Sequence, residues 1–439
     1  MTAYPVDPRA IIDEQPMTRF QWGVVAIMIG LNALDGFDVL SISFASPGIA
    51  AAWGVDRAAL GIVLSMELIG MALGSLVLGG AADRFGRRAT ILACLVVMAI
   101  GMFGASSANG IASLCGWRVL TGLGIGGMLA ATNAAVAEAS SLGRRNLAVV
   151  LMAGGYPVGA IIGGAISAQL LRDHDWRSVF QFGGVVTLLL IPLVLWRAPE
   201  SIAFLAARGR ADALTRINRI LARMGHQPAT ALPAAIDKPA GVPLARLFTP
   251  ALARSTWLLT LAYLAHIMTF YFILKWVPKI VVDMGHAPAA AAGVLVWANV
   301  GGAAGSLLLG LLTARVRLVP LTVAAMLAST ALVILFGRGQ DTIAQLSLVA
   351  ALAGFCTNAG VVGLYALVAR AFPTAVRASA TGFVIGIGRG GSALAPALAG
   401  LLFAAGYALG SVATLMALGS LIAAAAIAML GQNVADAAA

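Results

Sequence analysis

The sequence predicts an all-α membrane protein of twelve transmembrane helices in two six-helix halves, and three observations carry that prediction. Of 439 residues, 60% are hydrophobic and only 10% charged, with a mean hydropathy of +0.95. A soluble domain averages about 45–50% apolar and about 25% charged residues, so a water-soluble fold is excluded. The apolar residues gather into twelve stretches, each near the roughly 20 residues that one membrane crossing needs. A single long polar interruption divides them six and six.

In order, the spans are 22–45, 60–80, 90–107, 114–136, 147–170 and 178–196, then 257–277, 288–311, 318–336, 344–369, 380–402 and 408–430. Each is bounded by Gly, Pro or charge, which end apolar helices. The chain accordingly divides into an N-terminal bundle 1–196, a linker 197–256 and a C-terminal bundle 257–439. In the linker, Ile202, Leu205, Leu214, Ile217 and Leu221 alternate with Arg208, Arg210, Arg216, Arg219 and Arg223. That pattern suits an amphipathic helix lying on the membrane surface. The first 19 residues are polar and lack the apolar core of a signal peptide, so the first span is expected to target the chain. Cys94, Cys115 and Cys356 lie far apart in apolar stretches and read as small core residues.

The net charge of +11 points to topology. No basic run sits beside stacking aromatics, so a nucleic-acid partner is not expected. Twenty of the 28 Lys and Arg residues fall in the N-terminus, the linker and the loops on their side. The opposite loops hold only Arg57, Arg172, Arg177, Lys279 and Arg338, while Arg118, Lys275 and Arg389 lie within spans. This excess places both termini and the linker in the cytoplasm and the protein in the cell (inner) membrane.

The halves repeat. Glu138-Ala-Ser-Ser-Leu-Gly-Arg-Arg145 matches Arg370-Ala-Phe-Pro-Thr-Ala-Val-Arg377 at an offset of 232, and the same offset pairs Gly154 with Gly386 and Gly159 with Gly391. Gly79 precedes Gly310 by 231. Parallel repeats imply an axis along the membrane normal and a substrate site between the halves near the midplane.

The loop after the second span reads Gly79-Gly-Ala-Ala-Asp83-Arg84-Phe-Gly86-Arg87-Arg88. Gly86 permits a tight turn, and Asp83 can meet the free N–H groups of a neighbouring helix. The fourth span carries Arg118-Val-Leu-Thr-Gly122-Leu-Gly124-Ile-Gly126-Gly127, a spacing that lets helices approach closely. Both resemble signatures of the major facilitator superfamily, whose loop latches the cytoplasmic side in one transport state. The second-half loop has Ala314 where the aspartate belongs. A finer resemblance runs through Asp35-Gly36-Phe37-Asp38, Asp175-Trp176-Arg177, Ala198-Pro199-Glu200-Ser201, Lys275-Trp276-Val277-Pro278 and Gly386-Ile387-Gly388-Arg389. Together these resemble the aromatic acid:proton symporter family, which implies that the two aspartates couple protons and that Arg389 meets a substrate carboxylate.

Charge inside a bilayer is costly, about 2.5–3.5 kcal/mol per residue by insertion scales, so each case needs a reason. From helical rise, Asp35, Asp38 and Glu67 lie about 2, 7 and 4–5 Å outward of their helix centres and Arg389 about 3 Å inward. Arg389 can grip a carboxylate through two hydrogen bonds, or else pair with an aspartate. Asp35 and Asp38, three residues apart, share a face, and burial with mutual repulsion favours a proton on at least one of them. Glu67 is a further proton-coupling candidate. His266 could relay a proton or bind a phenolic hydroxyl, or simply pack. Tyr271 could stack on a ring, and Asn299 and Asn358 sit at the level of the site. Lys275 reads as a snorkelling residue at the outer entrance. Gly79, Asp83, Arg84, Gly86, Arg87, Arg118, Glu138, Arg145 and Arg377 read as gate and conformational residues.

The function expected is proton-driven import of a small aromatic carboxylate by a monomer, with the proton gradient as energy source and neither metal nor cofactor. Other readings are a carrier of a different small organic acid, or a sugar or drug porter of the same superfamily. The exporter Gly-Pro spacing is not matched by Gly154-Gly155-Tyr156-Pro157-Val158-Gly159, and the glutamine series of sugar porters is missing from the seventh span. An enzyme is disfavoured because His174, His226, His266 and His286 are scattered and no nucleophile–base set appears.

Overall fold

The computed structural model describes residues 7–78, 80–208, 211–232, 244–313 and 315–431. Gly79 and Ala314 lie outside the described residues, and so does Arg210 of the linker. The helices are α1 (Pro8–Glu14), α2 (Arg19–Trp53), α3 (Arg57–Val77), α4 (Ala81–Phe85), α5 (Arg87–Ser106), α6 (Ile111–Ala139), α7 (Leu142–Asp173) and α8 (Arg177–Arg197). They continue as α9 (Ile202–Arg208), α10 (Ala213–Met224), α11 (Ala253–Asp283), α12 (Pro288–Leu312), α13 (Leu318–Gly337), α14 (Ile343–Ala371), α15 (Thr374–Ala404) and α16 (Leu409–Leu430). Among the described residues, the twelve helices long and apolar enough to cross a membrane are α2, α3, α5–α8 and α11–α16. Several outrun their expected spans. The first, α2, runs 35 residues, from a start where the Thr18 N–H donates to the Gln21 side chain at 2.9 Å to Gly54, at φ +60°, which ends it.

The repeat is visible in the packing. In the N-terminal half α2 packs on α7, α3 on α6, and α5 on α6 and α8. In the C-terminal half the equivalent pairs are α11 with α15, α12 with α14, and α13 with α14 and α16. Glycines at the repeat offset make two of these contacts possible. A Cβ at Gly70 or Gly74 of α3 would collide with the α6 backbone at Val119 or Leu123. One at Gly301 or Gly305 of α12 would collide with α14 at Ala351 or Phe355. Without side chains in the way, the backbones touch, which is how helices gain van der Waals contact where no hydrophobic effect drives them together.

Between the halves, α3 packs on α15, α7 on α12, and α2 on α11 and α12. These contacts concentrate at the end away from the linker. There Gly61 faces the Pro396 carbonyl and Gly400, Gly164 faces Val296, and Arg57 pairs with Asp283 at 3.0 Å. Toward the linker end, α6 and α14 are not among the closely packed helix pairs of the described residues. The far end is therefore sealed, and the two halves meet least where the linker lies.

The linker departs from expectation. Its amphipathic helix α10 does not spread its apolar face on lipid. Ile217, Ile220, Leu221 and Met224 instead pack with Ile202, Phe204 and Leu205 of α9 and with Ile11 and Ile12 of α1. Protein supplies the apolar partner that the sequence pattern assigned to membrane. An Arg145–Asp13 ion pair ties α1 to α7, and His226, after α10, meets Gln15 at 2.6 Å and Gln21 at 3.2 Å.

Candidate functional site

Five charged side chains gather where α2, α3, α6 and α11 meet. Glu67 of α3 is fully buried and forms ion pairs with Arg118 of α6 and with Lys275 of α11, the latter at 3.4 Å from Nζ to Oε2. Arg118 donates from Nη2 to the Asp38 backbone carbonyl at 3.0 Å and lies over the Phe180 ring at 5.3 Å. Lys275 also donates to the backbone carbonyl of Val39. Asp35 and Asp38 stand beside this group, both buried, and none of their four carboxyl oxygens has a hydrogen-bond partner among the described residues. Breaking a buried ion pair costs several kcal/mol, about 3–5, so two cations hold Glu67 in this arrangement, while the aspartates form no such pair among the described residues.

Toward the linker end lies a second group, built from an arginine and four of the chain's six tyrosines. Arg389 of α15 donates from Nη1 to the Ser75 hydroxyl of α3 at 2.5 Å, joining the halves. It lies within electrostatic range of Tyr263 and Tyr271 of α11. Tyr263 and Tyr365 of α14 share a hydroxyl–hydroxyl hydrogen bond at 3.1 Å, and Tyr271 packs edge-on to Phe270 at 5.2 Å. Tyr156 of α7, from the other half, is in range of Tyr271, Tyr365, Glu67 and Asp35. A guanidinium with two tyrosines in range and two more joined to them can bind a flat anion. The cation takes the carboxylate, the rings pack on an aromatic face, and the hydroxyls serve polar substituents.

Several predicted residues fall elsewhere than the sequence placed them. His266 is not open to a substrate. It is fully buried within the C-terminal half, with Nδ1 on Ser420 Oγ and Nε2 on the Thr357 carbonyl, both at 2.9 Å. Both ring nitrogens are committed, which makes it a packing residue. Asn299 and Asn358 turn their amides back on their own helices, to Leu295 at 2.8 Å and Gly354 at 3.1 Å, and Asn358 fills the space over Gly302. Arg118, expected in the gate, belongs to the buried ion cluster. Gly122 brings α6 so close to α3 that a Cβ there would strike the Glu67 carbonyl, and Arg118 one turn away lands on the Glu67 carboxylate. Lys275 does not snorkel outward; it is fully buried and turned across to the other half. Tyr156, Tyr263 and Tyr365 went unrecognised, although tyrosines so far inside membrane spans are a signal in themselves, since their hydroxyls need partners there.

At the linker end the remaining residues assemble around Arg87. It pairs with Asp83 at 3.1 Å and Glu138 at 2.8 Å, and its backbone N–H donates to Glu200 at 2.8 Å. Gly86, at φ +104°, makes the turn into α5 that aims this N–H at Glu200. Arg84 is exposed and lies over Phe85, Arg145 holds Asp13, and Arg377 donates to the Phe372 carbonyl at 3.3 Å.

The family model described as Major Facilitator Superfamily matches residues 28–339. The chain is 31% identical over 428 residues to the gallate transporter of Pseudomonas putida, covering 96% of this chain and 94% of that protein. It is 30% identical over 439 residues to the 4-hydroxybenzoate transporter of Pseudomonas aeruginosa, covering 97% and 96%. The 3-(3-hydroxy-phenyl)propionate transporter of Escherichia coli is 31% identical over 398 residues, covering 90% and 91%. Among solved structures, a D-xylose-proton symporter superposes with a TM-score of 0.70 at 16% identity, over 91% of this chain and 97% of that one, a likeness of fold. With twelve spanning helices in two packed repeats and relatives named as carriers of aromatic acids, the chain belongs to the major facilitator superfamily and is a multi-pass membrane transporter, not an enzyme.

Proposed function

We propose that this protein is a proton-coupled symporter that imports a small hydroxylated aromatic carboxylate by alternating access between its two halves. The observation that carries the reading is the position of Arg389, bridging the halves at Ser75 within range of Tyr263 and Tyr271. An anionic substrate held by Arg389 would touch both halves at once, so its binding energy can bias their relative position. Asp35, Asp38 and Glu67 form the acidic cluster through which coupling would run, and the two aspartate carboxyls, buried without a hydrogen-bond partner among the described residues, are least costly when a proton is held there. The excess of Lys and Arg puts the linker end and both termini in the cytoplasm, in an inner membrane, and the sealed far end then corresponds to an inward-facing state. The proton gradient is the energy source, no cofactor is invoked, and a monomer suffices because both halves of the site come from one chain.

The test is uptake by purified protein in liposomes under an inward proton gradient, with labelled 4-hydroxybenzoate and a panel of competing aromatic acids, aliphatic acids and sugars. Gradient-dependent uptake blocked by aromatic acids alone is the expected result. Competition by sugars or aliphatic acids, with no accumulation of the aromatic acid, would overturn the substrate class.

A further inference from the structure

Lys275 is the one residue of the ion cluster that comes from the C-terminal half. Its stem is fully buried, yet both groups it touches, the Glu67 carboxylate and the Val39 carbonyl, belong to the N-terminal half. Arg118, the other cation, comes from the same half as Glu67 and moves with it. Lys275 lies eight residues, about 12 Å, inside the far end of α11, where Asp283 pairs with Arg57 across the seal. Alternating access requires that seal to part. When it does, α11 carries Lys275 away from Glu67, and a buried carboxylate loses one of its two cations.

From this geometry we infer that Lys275 is a tethered counter-ion that trades places with the transported proton at Glu67. The inference rests on the proton-coupled reading above and names the group that such coupling would use. With the far end closed, three carboxyls (Asp35, Asp38 and Glu67) face two cations (Arg118 and Lys275), and one proton on the aspartates makes the cluster neutral. With the far end open, the same three carboxyls face Arg118 alone, and neutrality requires a second proton. A proton arriving from the far side therefore joins the Glu67 carboxylate as the Lys275 ammonium leaves. On closure the ammonium returns, the Glu67 O–H bond breaks, and the proton leaves toward the linker end. Lys275 itself stays charged throughout, as a point charge on a flexible stem can.

The other groups facing Glu67 cannot take this part. Asp35 and Asp38 on α2 are acids, Tyr156 on α7 and Tyr271 on α11 are neutral, and Arg118 on α6 does not change sides. Arg389 on α15 is held eight residues further along α3, at Ser75. The exposed Arg57–Asp283 pair is screened by water and lends the seal little.

The decisive experiment reads the far end directly. Spin labels on Ala52→Cys and Ala287→Cys, both exposed, one in each half, report the open fraction by pulsed dipolar spectroscopy of the full chain with its three native cysteines replaced. Opening that takes up one proton changes the open-to-closed ratio up to tenfold per pH unit, in favour of the open form as pH falls. That slope is expected in the wild type and in Lys275→Arg, and is expected to vanish in Lys275→Met, which also loses uphill uptake. If Lys275→Met does not fold, the double variant Glu67→Gln/Lys275→Met removes both charges together and is expected to be equally flat. A full slope surviving in either Met variant, or no slope in the wild type, overturns the inference. A wild type with the slope but without exchange of labelled 4-hydroxybenzoate would instead sink the substrate reading and leave this one standing.

Discussion

Removing the Arg389 guanidinium isolates the contact on which substrate recognition rests. In the structure the bond from Nη1 to Ser75 is the one hydrogen bond of this side chain among the described residues. The free edge offers two parallel donors to a carboxylate. A hydrogen bond to a charged group is worth about 1.5–3 kcal/mol net. Arg389 is only half-buried, so we take the lower end for each donor, about 3 kcal/mol for the pair, or roughly a hundredfold in Kd. Arg389→Ala is expected to weaken binding of labelled 4-hydroxybenzoate by that factor in an equilibrium assay at neutral pH. Arg389→Lys, which offers a point charge without the fork, recovers part of the loss. The neutral amide analogue provides the internal control. It binds the wild type poorly, and Arg389→Ala no longer distinguishes it from the acid. A Kd for Arg389→Ala within twofold of the wild type, in protein that remains folded, would refute the assignment.

The other expectations are more quickly stated. Asp35→Asn and Asp38→Asn are each expected to abolish accumulation against a gradient while substrate exchange at equal pH persists; accumulation surviving in both would move the proton elsewhere. Gly122→Leu forces α6 off α3 at the Glu67 backbone and is expected to cost about 1–3 kcal/mol of stability, seen as a lowered Tm in detergent; an unchanged Tm would contradict the close helix contact. Arg87→Ala removes the pairs to Asp83 and Glu138 and is expected to slow turnover with Kd unchanged; a change confined to Kd would argue against a conformational role. Arg57→Ala breaks a part-exposed pair worth about 0–1 kcal/mol, so the far-end open fraction is expected to shift by no more than about fivefold.

The twelve spans, the two halves and the midplane acids were all legible because a bilayer penalises charge so heavily that each polar residue inside it stands out. The repeat glycines were legible too: Gly159 and Gly391, paired by sequence offset, each face the first helix of their own half, at Ala33 and Leu264. Sequence position also gives depth along a helix, which is what singles out Asp35, Asp38 and Arg389. It does not give the direction in which a side chain leaves the helix. His266 and Arg389 both lie near mid-membrane, yet one is locked between Ser420 and Thr357 and the other reaches across to Ser75.

Composition, span lengths, charge distribution and repeat therefore determined what kind of molecule this is. They depend on transfer between water and lipid, and that energy is set residue by residue. The pairing of Glu67 with both Arg118 and Lys275, the approach of Tyr263 and Tyr271 to Arg389 and the docking of the linker helices on α1 were decided only by tertiary structure. Each joins residues tens to hundreds of positions apart, and each depends on which faces the helices turn to one another once they pack.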